Sequence, residues 1–247
     1  MDYRHTLPML TFAVDTTTIQ TKSLTRWLSM YKNPQRDEAK PEDTAETILD
    51  AASEVFADKG YEGARVDELA RAAGVNKATL YYQIGDKEAL YHAVITRVLA
   101  RTADEVCAAV SNAERCEEKI RNYINIFARQ TGSMRYAAPI MLREIASGGR
   151  NLPESATKQM GRMLGALSEA LDKGVDKGLF RPVNNFMVHM IIVGSLMLYV
   201  ANEPIRRRNA ANHPENHDAN HFIPTDMAGK EIADLVLAAI SSHQPNN

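Results

Sequence analysis

The sequence predicts an all-α protein in which an N-terminal three-helix unit of helix-turn-helix type is followed by a larger helical body. Three observations carry this. Apolar residues recur at three- and four-residue spacing through most of the chain after residue 43. No alternating strand pattern of useful length and no internal repeat is present. The 247 residues hold only 13 glycines and 10 prolines, while alanine and leucine recur throughout, a balance that favours helix.

Hydrophobic residues make up 45% and charged residues 24%, ordinary for a globular chain with a sizeable core. The net charge of −2 does not announce nucleic acid, so any phosphate-binding surface has to be local. Cys107 and Cys116 belong to no metal-type cluster, which suits a reducing, cytoplasmic setting. Residues 1–15 carry Asp2, Arg4 and Asp15 and lack the apolar run of a signal peptide. The most apolar stretch, Phe186 to Ala201, is interrupted by His189, Gly194 and Ser195 and is short for a membrane span, so it is expected to be a buried helix.

Residues 1–43 form an N-terminal extension. Ile19, Leu24, Trp27, Leu28 and Tyr31 recur at roughly helical spacing, and Lys22, Arg26, Lys32 and Arg36 add four positive charges without an acid between residues 16 and 36. Two readings stay open: a basic amphipathic helix on an arm, or a leader without structure of its own. Next, Asp43 and Glu46 have capping-box spacing before an apolar face of Ile48, Ala51, Ala52, Val55 and Phe56, and Gly60 is placed to end that helix. A short helix follows with Val66, Leu69, Ala70 and Ala73 on one face and Gly74 at its end. A third begins at Asn76, keeps Leu80 inside, and breaks at Gly85-Asp86. From Lys87 a long helix runs to about Val110. Further helices are expected over 113–133, 138–147, 153–177, 184–208 and 226–242, with residues 209–225, rich in Asn, His and Pro, as a long loop.

Two short helices joined tightly at Gly74-Val75 behind a longer supporting helix have the form of a helix-turn-helix. Glycine suits the tight turn, small Ala70 and Ala73 let the helices approach, and the second helix projects Lys77, Thr79, Tyr81, Tyr82 and Gln83. A protruding helix of this kind fits the major groove of B-DNA, about 12 Å wide. Tyr81 and Tyr82 are consecutive, so at least one of them must be exposed or only half buried.

The stretch Ala51-Ala52, Val55-Phe56, Lys59-Gly60-Tyr61, Val66-Asp67-Glu68-Leu69-Ala70, Ala73-Gly74-Val75, Thr79-Leu80-Tyr81-Tyr82 and Lys87-Glu88-Ala89-Leu90 resembles the DNA-binding domain of TetR/AcrR transcriptional regulators. The resemblance runs without a gap over residues 44–90; beyond it, only the helical architecture, the length and the segment Met141-Leu142-Arg143-Glu144 are similar. It implies a TetR-type DNA-binding domain at 44–90 and a helical ligand-binding and dimerisation domain at 91–247. It further implies that Lys77, Ala78 and Tyr81 read base edges and that Thr79, Tyr82, Gln83 and Lys87 hold phosphates. Two departures stand out. Arg65 occupies a position where relatives cap the second helix with Thr or Ser, so the cap is lost or replaced and the guanidinium is free to reach phosphate. Ile84 replaces an inward-packing aromatic, which implies a modest packing change. Residues 44–90 carry five basic and nine acidic side chains, a net −4, which limits non-specific affinity.

The resemblance also implies a homodimer on a palindromic operator, paired through the last two long helices, and a small apolar or amphipathic effector that releases a repressor. An activator or ligand-independent regulator of the same fold is the alternative, and an enzyme or carrier using a cavity in the body is a more distant rival. For the effector, Tyr123, Phe127, Met141, Met163 and His189 are the candidates, set against ordinary core packing. Such a histidine is commonly satisfied by a neighbouring backbone group. His213, His217 and His221 recur every four residues, but Pro214 and the surrounding asparagines favour a loop over a metal stripe. Arg206-Arg207-Arg208 suits a helix end. No phosphate-cradling glycine loop, His-Glu metal motif or nucleophile elbow appears, so neither cofactor nor catalysis is expected.

Overall fold

The computed structural model describes residues 41–208 and 223–242. The N-terminal basic segment and His213, His217 and His221 therefore lie outside the described residues. Ten helices occur among the described residues: α1 Pro41–Gly63, α2 Val66–Ala72, α3 Lys77–Gln83, α4 Lys87–Asn112, α5 Cys116–Ser133, α6 Ala137–Ala146, α7 Glu154–Asp176, α8 Asn185–Ala201, α9 Glu203–Arg208 and α10 Thr225–Ile240. The sole departure from helix and loop among them is one antiparallel bridge between Phe180 and Ser241.

Three departures from the expected boundaries have a clear local cause. α1 starts at Pro41, so Asp43 lies inside the first turn rather than before it. A proline at the first helical position surrenders no hydrogen bond, which makes it a strong start signal. Gly60 interrupts α1 as a kink (φ 70°), and the chain makes a further turn to Gly63. The expected helix 184–208 is two helices: α8 ends at Ala201, and a separate short helix opens at Glu203 with Pro204, which has no N–H to donate, in its first turn.

α1, α2 and α3 close over the first half of α4. Ile48, Ala52, Phe56, Leu69, Leu80, Leu90, Tyr91 and Val94 form their shared core. Tyr91 is its aromatic hub, with ring centroids 4.7 Å from Phe56 and 5.0 Å from Tyr61. Ile84 packs against this cluster at partial burial. The second half of α4 packs on α5 and α7, and α10 lies along α5. α8, with α7 and α10 beside it, completes the body through Val188, Ile192, Leu196 and Val200. No described helix is long and apolar enough to cross a membrane.

The turn after α7 is held by packing as well as by backbone. Leu179 N–H and Phe180 N–H both donate to the Gly174 carbonyl, at 2.9 and 3.1 Å. A methyl group on Gly174 would sit 2.0 Å from the buried Phe180 ring. Gly174→Ala is accordingly expected to destabilise the protein by about 1–3 kcal/mol through overpacking. The check is urea unfolding, with a lower midpoint and an unchanged slope; a stability equal to the parent's would show that Phe180 moves aside freely.

Candidate nucleic-acid interface

The turn between α2 and α3 is built by local rules. Val75 N–H donates to Ala70 O and Gly74 N–H to Arg71 O, and Gly74 takes φ 67°, which side-chain-bearing residues rarely adopt. Ala70 and Ala73 are buried there, as their size requires. Asn76 then caps α3, its side-chain oxygen accepting from Thr79 N–H at 2.8 Å, and Asp86 caps α4 in the same way through Ala89 N–H at 2.8 Å. Neither cap was singled out from sequence, although an Asn or Asp at such a helix start is a recognisable signal. Arg65 precedes α2 and makes no side-chain cap, so the cap is lost rather than replaced, and its side chain is exposed.

α3 buries Leu80 alone and turns its other face outward. Lys77 and Ala78 are exposed, Thr79 and Gln83 are half-buried, Tyr81 is 48% exposed and Tyr82 87%. Two large aromatic side chains left in water on one short helix are costly without a partner. Lys77 is not idle, since its ammonium pairs with Asp67 across the turn. That pair is solvent-exposed and adds little stability, so Asp67 orients Lys77 without sequestering it.

Lys87 departs from the expected role. Its ammonium donates to the carbonyls of Tyr61 (3.0 Å) and Ala64 (3.3 Å) and sits 4.3 Å from the Tyr61 ring centroid. Both carbonyls lie at the end of α1, where the helix leaves them without helical partners, and the lysine satisfies them. In this state it staples α4 to the α1–α2 junction rather than presenting charge outward. Several acids that make this region net negative are likewise engaged: Arg97 of α4 donates to Glu46 and Asp50, each at 2.7 Å, and Lys59 pairs with Glu68.

A second set of polar contacts joins this unit to α6. Arg143 donates to Asp58 O (2.9 Å) and Ala57 O (3.4 Å) near the end of α1. The neighbouring Glu144 is only 2% exposed. Its carboxyl accepts from the Tyr91 hydroxyl at 2.7 Å and from Asn151 N–H and Nδ2 at 3.2 and 3.1 Å. Burial first, and then the bond to Glu144, push the Tyr91 phenol far above its ordinary range, so it remains a donor. This tie was missed from sequence: Met141-Leu142-Arg143-Glu144 drew notice only as a resemblance, and nothing local reveals that Tyr91, 53 positions away, completes it.

Of the proposed effector residues, the structure brings Tyr123 and His189 together. The Tyr123 hydroxyl lies 2.9 Å from His189 Nδ1, so a side chain rather than the expected backbone group satisfies the histidine. Tyr123, Phe127, Met141, Met163 and His189 are all buried, as packed core. Three cavities on the described residues are lined without any of them. Burial alone holds the His189 imidazole below its ordinary pKa and keeps it neutral. The unfolded chain takes up a proton near pH 6.5 that the folded ring refuses, so stability is full above that value and falls as pH drops below it. Urea melts at pH 8 and pH 5 are expected to show this loss, and to show a smaller loss in His189→Asn. An identical pH dependence in the variant would place the titration elsewhere.

With that geometry in hand, known proteins supply a frame. Residues 48–94 match the family described as "Bacterial regulatory proteins, tetR family", and residues 117–221 match "Tetracyclin repressor-like, C-terminal domain". The chain is similar to the HTH-type transcriptional activator FasR of Mycolicibacterium smegmatis, 38% identical over 80 residues, which is 32% of this chain and 36% of that protein. It is 39% identical over 67 residues to the transcriptional repressor AcnR of Corynebacterium efficiens, 27% of this chain and 36% of that protein. The matched region thus spans about a third of these relatives' length. Among solved structures, the fatty acid degradation regulator FadR of Bacillus halodurans superposes with a TM-score of 0.63 at 23% identity, over 82% of this chain and 97% of that one. FadR of Bacillus subtilis, solved with stearoyl-CoA, gives 0.62 at 17% identity, over 79% and 98%. At these identities the structural likeness speaks to fold, while the two sequence matches, which together cover more than half of the chain, fall on the helix-turn-helix and on the body. On both counts the chain belongs to the TetR family of bacterial regulatory proteins.

Proposed function

We propose that the protein is a cytoplasmic, sequence-specific DNA-binding transcriptional regulator, a homodimer that represses from a palindromic operator and is released by a small apolar or amphipathic effector. The observation that carries this is the solvent-facing side of α3. Lys77, Ala78 and Tyr81 would meet base edges. Thr79, Tyr82, Gln83 and Arg65 would meet the sugar-phosphate backbone. Lys87 supports the platform through the Tyr61 and Ala64 carbonyls and would meet phosphate with its remaining N–H. A regulator rather than an enzyme is the reading that α3 favours.

Dimerisation follows from the task and from the surface. One short helix covers few base pairs, and two copies about 34–36 Å apart would read a palindrome. Met187 and Ile191 of α8 and Leu235 of α10 are exposed around a mostly apolar groove of about 530 Å³. Leu198 of α8 is exposed as well, so the apolar surface runs far along that helix. Pairing α8 and α10 with their copies would cover it.

Release requires the body to have two states that a ligand distinguishes. An effector entering among Tyr123, Phe127, Met141, Met163 and His189 would have to repack that core. α6 is the element placed to transmit the change, since Met141 lies one turn before Glu144 and next to the Arg143 tie on α1. The similarity to FasR, a transcriptional activator, favours one second reading, an activator with the same head. Footprint position relative to the promoter separates the two.

Tyr81→Ala is expected to lose specific operator binding in a gel-shift assay, at a cost of at least about 1–3 kcal/mol, while size-exclusion chromatography still reports a dimer. Unchanged specific affinity would count against α3 as the reading element. Glu144→Gln puts an amide NH2 where Asn151 N–H donates, and is expected to cost about 1–3 kcal/mol of stability. It should also shift operator affinity without touching α3, measurable by fluorescence anisotropy. An unaltered affinity in a destabilised variant would assign Glu144 to packing alone.

A further inference from the structure

Among the described ion pairs, only that between Asp67 of α2 and Lys77 of α3 reaches the helix that carries the exposed tyrosines. Other paired acids of the same unit meet cations on other elements: Glu46 and Asp50 meet Arg97 of α4, and Glu68 meets Lys59 of α1. Lys77 and Tyr81 are four positions apart and share a face of α3. Asp67 is therefore brought to the end of the face proposed to meet base edges.

The pair is not saturated. More than half of each side chain is exposed. An ammonium has three N–H donors and a carboxylate about four acceptor sites, and the contact uses one of each. What remains is a donor and an acceptor held side by side. The major-groove edge of a G·C pair is complementary to that arrangement. Guanine O6, an acceptor with N7 beside it, lies against cytosine N4–H, a donor. An A·T pair fits less well: with adenine N6–H on the carboxylate, the ammonium is left with thymine O4, next to a methyl group. A carboxylate also discriminates by repulsion. Among phosphates it penalises every complex in which no base donor meets it, so it lowers affinity for most sequences and spares few.

We propose that Asp67 is a specificity-determining residue, accepting from a cytosine N4–H in the major groove while Lys77, held beside it, donates to the guanine of the same base pair. This rests on the DNA reading of α3 and adds to it a residue of α2.

The test is selection of bound duplexes from a random-sequence pool by the full chain, followed by fluorescence anisotropy on single-position variants of the selected duplex. The parent is expected to select a palindrome with a G·C pair at one position of each half-site. It should lose about tenfold in affinity when that pair is reversed or replaced by A·T. Asp67→Ala should bind the unselected pool more tightly and discriminate at that position by no more than about threefold, with discrimination elsewhere in the half-site kept. Lys77→Gln should keep part of the preference, and adding Asp67→Ala to it should remove the rest. Glu54→Gln takes the same charge off the exposed side of α1 and should leave the preference unchanged. A parent that selects no palindrome would sink the DNA reading itself. If the parent does select one, full preference in Asp67→Ala, or a double variant equal to Lys77→Gln alone, would overturn the role of Asp67 and leave α3 as the reading element.

Discussion

The buried carboxyl of Glu144 and the Tyr91 hydroxyl that donates to it, 2.7 Å apart, hold together two parts of the molecule that have different work to do. Tyr91 is the aromatic hub of the helix-turn-helix core, and Glu144 belongs to α6 in the body. An unpaired carboxyl at this depth would be costly, so its four donors, from Tyr91, the Asn151 main chain and amide, and Ser147, act as one arrangement that forms or fails together. Arg143 on the same turn adds donors to the end of α1. The orientation of α3 is thereby referred to α6 through polar contacts, which are directional, rather than through apolar packing alone, which is not.

A separate set of ion pairs engages acids in the region around α3. Arg97, rooted in α4, draws Glu46 and Asp50 to it, and Lys59 draws Glu68. Lys87 is drawn the other way, into the Tyr61 and Ala64 carbonyls at the end of α1. The outward face of α3 is consequently less charged than a phosphate-binding surface usually is, and its two tyrosines dominate it. A surface of this kind leans on shape and base-edge contact more than on bulk electrostatics.

The helix-turn-helix was legible because each of its requirements is local. Gly74 has to supply positive φ, Ala70 and Ala73 have to be small, and Leu80 has to point inward, all within fifteen residues. The body was legible only as helices. The break between α8 and α9 at Pro204 was missed, and the polar partners of the body could not be paired from sequence. Tyr123 and His189 are separated by 66 positions, and either would pass for core alone.

The sequence by itself determined the all-helical class, the family and the outward row on α3, because helical periodicity, turn chemistry and capping act between residues a few positions apart. Tertiary structure alone decided what Lys87 does, which hydroxyl satisfies His189, and how Glu144 joins α6 to α4. Those outcomes depend on which distant donors and acceptors meet once water is excluded, and a one-dimensional pattern carries no record of such encounters.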